Sequence, residues 1–261
     1  MLRALSAALL LALLAPRPAA AAAPEELRLD LTRSAVVTGA LLAGSLATAL
    51  WQDRLTPPRC RVCGAGALDT WARDQLRWAD GRGASTASDV MLVAVPALAG
   101  GALLVSSLQH GDARTALEDG LMLVEATSVA VLATQVAKLA AARLRPYAWA
   151  DPAGGHGPDS RRSFWSGHTA FTFAAASAAG TVARLRGYRS WPWILGLGLA
   201  GAAATGWLRM AADRHWATDV LVGAAVGTAA GLGIPAWLHG RRGDAGAPRV
   251  ALVPLGIAGT F

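Results

Sequence analysis

Polar and apolar positions along this chain are organised on the scale of whole helices, not of strands. Six apolar segments, at residues 34–51, 89–108, 121–142, 168–183, 191–208 and 218–238, are separated by stretches where Pro, Gly and Arg cluster. Each is close to the roughly 17–25 residues that a bilayer-spanning helix needs. Their richness in Ala and Gly suits helices that approach one another closely inside a membrane. The pattern predicts an all-α fold, a six-helix transmembrane bundle. Between the first two segments, ALDTWARDQLRWA (67–79) mixes Leu68, Trp71, Leu76 and Trp78 with Asp69, Arg73, Asp74 and Arg77. That mixture predicts a short amphipathic helix, either anchored at the interface by tryptophan or packed over the bundle. Strand-like alternation is confined to the tail, RVALVPLGIAGTF (249–261).

Composition supports the membrane reading, with 54% hydrophobic and only 16% charged residues in 261. The start of the chain, with Arg3, an apolar run and an Ala-rich exit, has the build of a secretory signal peptide. Residues 1–23 are therefore expected to be a signal peptide or an N-terminal anchor, and 241–261 a loosely attached tail. The formal net charge is +7. On a soluble protein that would suggest nucleic acid. Here the arginines lie between apolar segments, which favours anionic lipid head groups or a phosphorylated substrate and no nucleic acid. Lys138 is the only lysine among 24 Lys and Arg residues. A chain that otherwise uses arginine has placed a compact ammonium at one position.

Cys60 and Cys63 form a lone CxxC. No further Cys or His lies in that segment to complete a zinc site, and a thioredoxin-like βαβ context is absent. A local disulfide in an exported chain is the expectation. No Asp, Glu or His cluster has metal-ligand spacing, so neither a metal nor another cofactor is expected.

Ionisable residues inside apolar stretches are costly unless paired or used, and three blocks carry them. The first is Lys138 to Pro146 (KLAAARLRP), ending the third segment. The second is Ser163 to His168 (SFWSGH), opening the fourth. The third is Arg209, His215 and Asp219, leading into the sixth. If consecutive segments run antiparallel, all three blocks meet at one end of the bundle.

Together these blocks resemble the signature of the type 2 phosphatidic acid phosphatase superfamily, KxxxxxxRP, PSGH and SRxxxxxHxxxD. The first is matched in full. Trp165 stands for the proline of the second, and Leu208 for the serine of the third. The resemblance implies a membrane phosphatase domain over residues 24–240, acting on a lipid phosphate monoester or diphosphate with no obligatory protein partner. It implies that His215 is the nucleophile, forming a phosphohistidine, and that His168 protonates the leaving group and later activates water.

Elementary chemistry runs parallel to that. A phosphoryl group in transfer needs its equatorial oxygens held, and Lys138, Arg145 and Arg209 supply cations. Ser166 and Gly167 open a helix, where free N–H groups and the dipole favour an anion. Asp219, one turn beyond His215, is placed to orient its ring. Glu125 is read as an internal hydrogen-bonding group. His110, His156 and His239 are read as solvated, as are Arg143, Arg161 and Arg162 unless they guide head groups. A soluble acid phosphatase or vanadate-dependent haloperoxidase of the same fold is the rival reading, and a non-catalytic lipid carrier a second. The arginines of 184–190 and Arg241–Arg242 favour the cytoplasm. A bacterial-type inner-membrane protein with its active site facing the periplasm is the expectation.

Overall fold

The computed structural model describes residues 23–242 and the backbone of two strands within 249–260. The expected signal or anchor lies almost wholly outside the described residues. The long helices are α1 (Leu31–Leu55), α3 (Gly81–His110), α4 (Ala113–Ala141), α6 (Gly167–Leu185), α7 (Trp191–Ala211) and α8 (Ala217–Gly233). Shorter ones are α2 (Ala67–Leu76) and α5 (Pro146–Ala150). One π-helical turn, Ile234–Leu238, prolongs α8. The tail holds an antiparallel hairpin, β1 (Arg249–Val253) with β2 (Gly256–Thr260), paired Arg249 to Thr260.

Helix starts follow from local chemistry. Asp30, Asp80 and Asp112 cap α1, α3 and α4 by accepting from the amides of Arg33, Arg82 and Thr115. At α8, Asp219 in the first turn reaches back to the Trp216 amide at 3.0 Å, satisfying a donor that the helix cannot. The C-terminus of α4 is set by Ala142, held left-handed at φ 40°. That conformation is strained for a residue with a Cβ, and it swings the chain from α4 into the segment carrying Arg143 and Arg145.

Among the described residues six long helices form the bundle, but the expectation of six bilayer-length apolar segments is corrected there to five. Leu31–Leu55, Gly81–His110, Ala113–Ala141, Trp191–Ala211 and Ala217–Leu238 are long and apolar enough to cross a membrane. The exception, α6, lies at the centre, against α8, α7, α4 and α3. Its Ala170, Ala174, Ala176, Ala178, Ala179 and Val182 are fully buried. Surrounded by protein, α6 needs small side chains for close packing more than large apolar ones for lipid.

The register between α6 and α8 is set by glycine. Gly223, Gly227 and Gly231 recur every four residues, on one face of α8. A Cβ at these positions would meet the carbonyls of Ser166, Ala170 and Ala174, which recur at the same interval on α6. The absent side chains let two backbones touch, and the contact at Gly223 fixes the start of α6 against the start of α8.

At the other end, Arg186 pairs with Asp119 (2.7 Å) and Glu118 (2.8 Å), and the Asp119 carboxylate also accepts from Ser107 and Tyr188. His239, expected to be solvated, is instead buried, with Nε2 3.0 Å from Glu125. The π turn folds the chain back onto α4, so a tail histidine meets a carboxylate deep in the bundle.

Candidate active site

The end of α4, the starts of α6 and α8 and the end of α7 converge at one end of the bundle, bringing the three sequence blocks together. His215 lies in the turn between α7 and α8 and is 3% exposed. Its Nδ1 is 2.8 Å from the Ser163 carbonyl. A carbonyl only accepts, so Nδ1 carries the proton and Nε2 keeps its lone pair. That nitrogen faces the Arg145 guanidinium at 3.3 Å. Burial, and then the charges of Arg145, Arg209 and Lys138, push His215 well below the usual histidine range. Its imidazole is therefore neutral at neutral pH.

Arg145 is fixed at every nitrogen. Nε donates to the Asp159 carbonyl (2.9 Å), Nη2 to the Asp159 carboxylate (2.9 Å), and Nη1 to the Arg214 carbonyl (3.0 Å). Burial pushes the Asp159 carboxyl up, but Arg145 and Arg162 outweigh it and hold the group below its ordinary value. Arg209 donates to Ser88 (3.1 Å) and approaches Asp89 (3.5 Å), while its buried Nε has no hydrogen-bond partner. His168 Nε2 lies 2.7 Å from Asp89. Ser166 caps α6, its hydroxyl accepting from the Thr169 hydroxyl at 2.9 Å. Gly167 has no side chain where a Cβ would stand 3.5 Å from the Lys138 ammonium.

Asp219 is fully buried and makes its close contacts away from the His215 ring. It accepts from the Ser163 hydroxyl and from Arg143, each at 2.5 Å, and stands 3.6 Å from His215 Nδ1. A cavity of about 300 Å³ opens beside Lys138, Gly167 and His168 and runs on between Leu92, Val131 and Phe171. Among the described residues, no group of three His, Cys, Asp or Glu side chains is suited to a metal. Cys60 and Cys63 form a disulfide with their Cα atoms 5.5 Å apart. They stand outside the cluster, but the loop they close pairs with its support. The Arg61 amide donates to the Ala142 carbonyl, and the Leu144 amide to the Val62 carbonyl.

Several members of this constellation escaped sequence reasoning. Arg143 and Arg162, expected to be solvated, are each 7% exposed. Arg143 bridges Asp69 and Asp219, and Arg162 binds Asp53. Arg161 also turns inward, donating to the Pro57 carbonyl. Apart from the contact of Arg162 with Asp159 three residues before it, their partners lie about 70 to 110 residues away in the sequence, which spacing cannot reveal. Asp89 left a usable signal, since it is an acid at the head of an apolar segment.

The geometry defines a class: a multi-pass, all-helical membrane protein with a buried cationic site at one end of its bundle. Residues 119–242, just under half of the chain, match the model of the PAP2 superfamily. The Lipid A 1-phosphatase of Porphyromonas gingivalis is 49% identical over 70 residues, 26% of this chain and 15% of that protein. The chain thus matches only a small part of that relative's length. No solved structure gives a significant match.

Proposed function

We propose that the protein is a membrane phosphatase that hydrolyses a lipid phosphate monoester or diphosphate through a phosphohistidine on His215. The observation that carries this reading is the His215 ring itself. Its Nδ1–H donates to the Ser163 carbonyl, and its unprotonated Nε2 accepts from Arg145 within a cationic site. A neutral, oriented imidazole beside guanidinium groups is a nucleophile aimed at an anion.

In this reading the Nε2 lone pair attacks phosphorus in line, and the bond from phosphorus to the lipid oxygen breaks. His168 donates a proton to that oxygen. Lys138, Arg145 and Arg209 hold the equatorial oxygens, with the amides at the Ser166–Gly167 helix start adding donors. Asp89 positions His168, and Asp219 positions His215 through Ser163. Water, deprotonated by His168, then attacks the phosphohistidine. Inorganic phosphate leaves and His215 is restored.

The apolar run of the cavity past Leu92, Val131 and Phe171 supports a substrate whose chain stays in the bilayer. Extracting that chain would cost about 0.8 kcal/mol per CH₂. The partial relative named for lipid A supports including a glycolipid phosphate among the candidates. Phosphatidate, phosphatidylglycerol phosphate and undecaprenyl diphosphate offer the same handle. A periplasmic site is supported by Arg184, Arg186, Arg189, Arg241 and Arg242 at the opposite end and by a disulfide beside the site, since disulfides persist in oxidising compartments.

The test compares purified protein on these lipids in mixed micelles with para-nitrophenyl phosphate. Catalytic efficiency is expected to rise steeply toward the long-chain lipids and to vanish in a folded His215→Ala variant. Equal efficiency on the soluble ester would overturn the lipid assignment. Phosphate release by His215→Ala would overturn the mechanism.

A further inference from the structure

The short helix α2 buries only Asp69 and Ala72, so it is not held in place by an apolar core. Its outward residues Leu68 and Trp71 are exposed. Its inward contacts are ionic and fall on both sides of His215. On one side, Arg73 makes two parallel bonds to the Asp213 carboxylate, at 2.7 and 2.8 Å. Asp213 is held left-handed at φ 58° in the turn two residues before His215. On the other side, Asp69 accepts from the Thr218 amide (2.9 Å) and hydroxyl (2.9 Å), three residues after His215. Asp69 also accepts from Arg143 at 2.6 Å, and the same guanidinium binds Asp219 at 2.5 Å.

From this geometry we infer that α2 is a splint across the His215 turn, with Asp69 and Arg73 as positioning residues for the nucleophile. Neither belongs to the three sequence blocks. Two anchors, at Asp213 and Thr218, fix the six-residue span that holds His215 more tightly than one would. Removing either anchor frees the turn while leaving Lys138 and Arg209 where they are, because neither is bonded to Asp69 or Arg73. Arg145 loses at most its bonds into the turn, to the Arg214 carbonyl and His215, and is still held by its two bonds to Asp159. The bidentate fork at Asp213 is a directional clamp that a point charge reproduces only in part. This inference rests on His215 being the nucleophile.

The experiment uses the full chain with Asp69→Asn, Arg73→Ala and Arg73→Lys. Four quantities are read: kcat, KM, and inhibition by inorganic phosphate and by vanadate. Phosphate reports the cations alone, whereas vanadate also bonds the attacking nitrogen. Asp69→Asn and Arg73→Ala are expected to lower kcat and weaken vanadate about tenfold or more. KM and phosphate inhibition should stay within about twofold, and Arg73→Lys should recover part of the loss. The nitrogen NMR shifts of the His215 ring should move in both damaging variants. Unchanged kcat and unchanged His215 shifts would overturn the splint, as would equal weakening of phosphate and vanadate, which marks collapse of the whole site. Should Asp69→Asn fail to fold, the less buried Arg73 pair carries the test. A wild-type enzyme indifferent to vanadate would defeat the nucleophile assignment instead, and the ring shifts would still judge the splint.

Discussion

His215 gives its Nδ1 hydrogen bond to the Ser163 carbonyl at 2.8 Å, while Asp219, one turn along on α8, stands 3.6 Å from the same nitrogen. The carboxylate is tied to the Ser163 hydroxyl at 2.5 Å. Asp219 thus reaches the ring through Ser163, with its hydrogen bond to the hydroxyl fixing the residue whose carbonyl orients the imidazole.

That relay makes a graded prediction. Asp219→Asn should keep the contact to Ser163 and to the Trp216 amide, and should retain measurable activity at about 1–10% of kcat. Asp219→Ala leaves buried Arg143 short of one partner, and should cost activity and stability together, about 3–5 kcal/mol for a broken buried pair. Steady-state rates beside thermal unfolding in detergent check both. Equal loss of kcat in the two variants would sink the relay.

Acid should not silence His215, the proposed nucleophile, at the usual histidine pH. His215 is held well below its ordinary value by burial and by Arg145. Its folded form therefore stays neutral while an unfolded histidine takes up a proton near pH 6.5. The acid limb of kcat/KM, corrected for substrate ionisation, is expected below that value. The sign for stability is the opposite of favourable. The unfolded chain binds the proton that the fold refuses, so stability falls as pH drops below about 6.5, by up to about 1.4 kcal/mol per pH unit. An acid limb centred at 6.5 and absent from a histidine-free site would contradict this.

Lys138→Arg should lower kcat at least about tenfold although charge is kept. The ammonium sits where a Cβ on Gly167 would be 3.5 Å from it and 3.4 Å from Thr134. A planar fork needs more room and a different set of partners. Wild-type turnover in Lys138→Arg would make the chain's single lysine incidental.

The glycine face of α8 predicts a contrast between two substitutions. Gly227→Val drives a side chain into the Ala170 carbonyl, whereas a Cβ at Gly39 on α1 meets nothing within 4 Å. The first should destabilise by about 1–3 kcal/mol as overpacking does and lower kcat by parting α6 from α8. Gly39→Ala should be neutral or add about 0.5–1 kcal/mol. Unfolding midpoints in one detergent decide it, and equal midpoints would refute the close helix contact.

By itself the sequence determined the long helices and the end of the bundle at which the three charged blocks gather. Apolar runs and the positions of Lys138, Arg145, Ser166, Gly167, His168, Arg209, His215 and Asp219 are all local, and antiparallel helices turn local order into shared location. The short amphipathic helix was equally legible, from Trp71 and Asp69 on one turn. What only tertiary structure decided is which charge meets which. Arg143 looked like a solvated loop residue until α2 and α8 brought Asp69 and Asp219 within 2.6 Å of it. His239 looked like a solvated tail until the π turn set it on Glu125. The fate of α6 was also hidden, because a helix rich in alanine can cross lipid or fill a core, and only its neighbours choose. Periodicity reports which face of a helix is apolar. The partner that face or charge finds depends on how distant segments pack, and that information is spread over the whole chain.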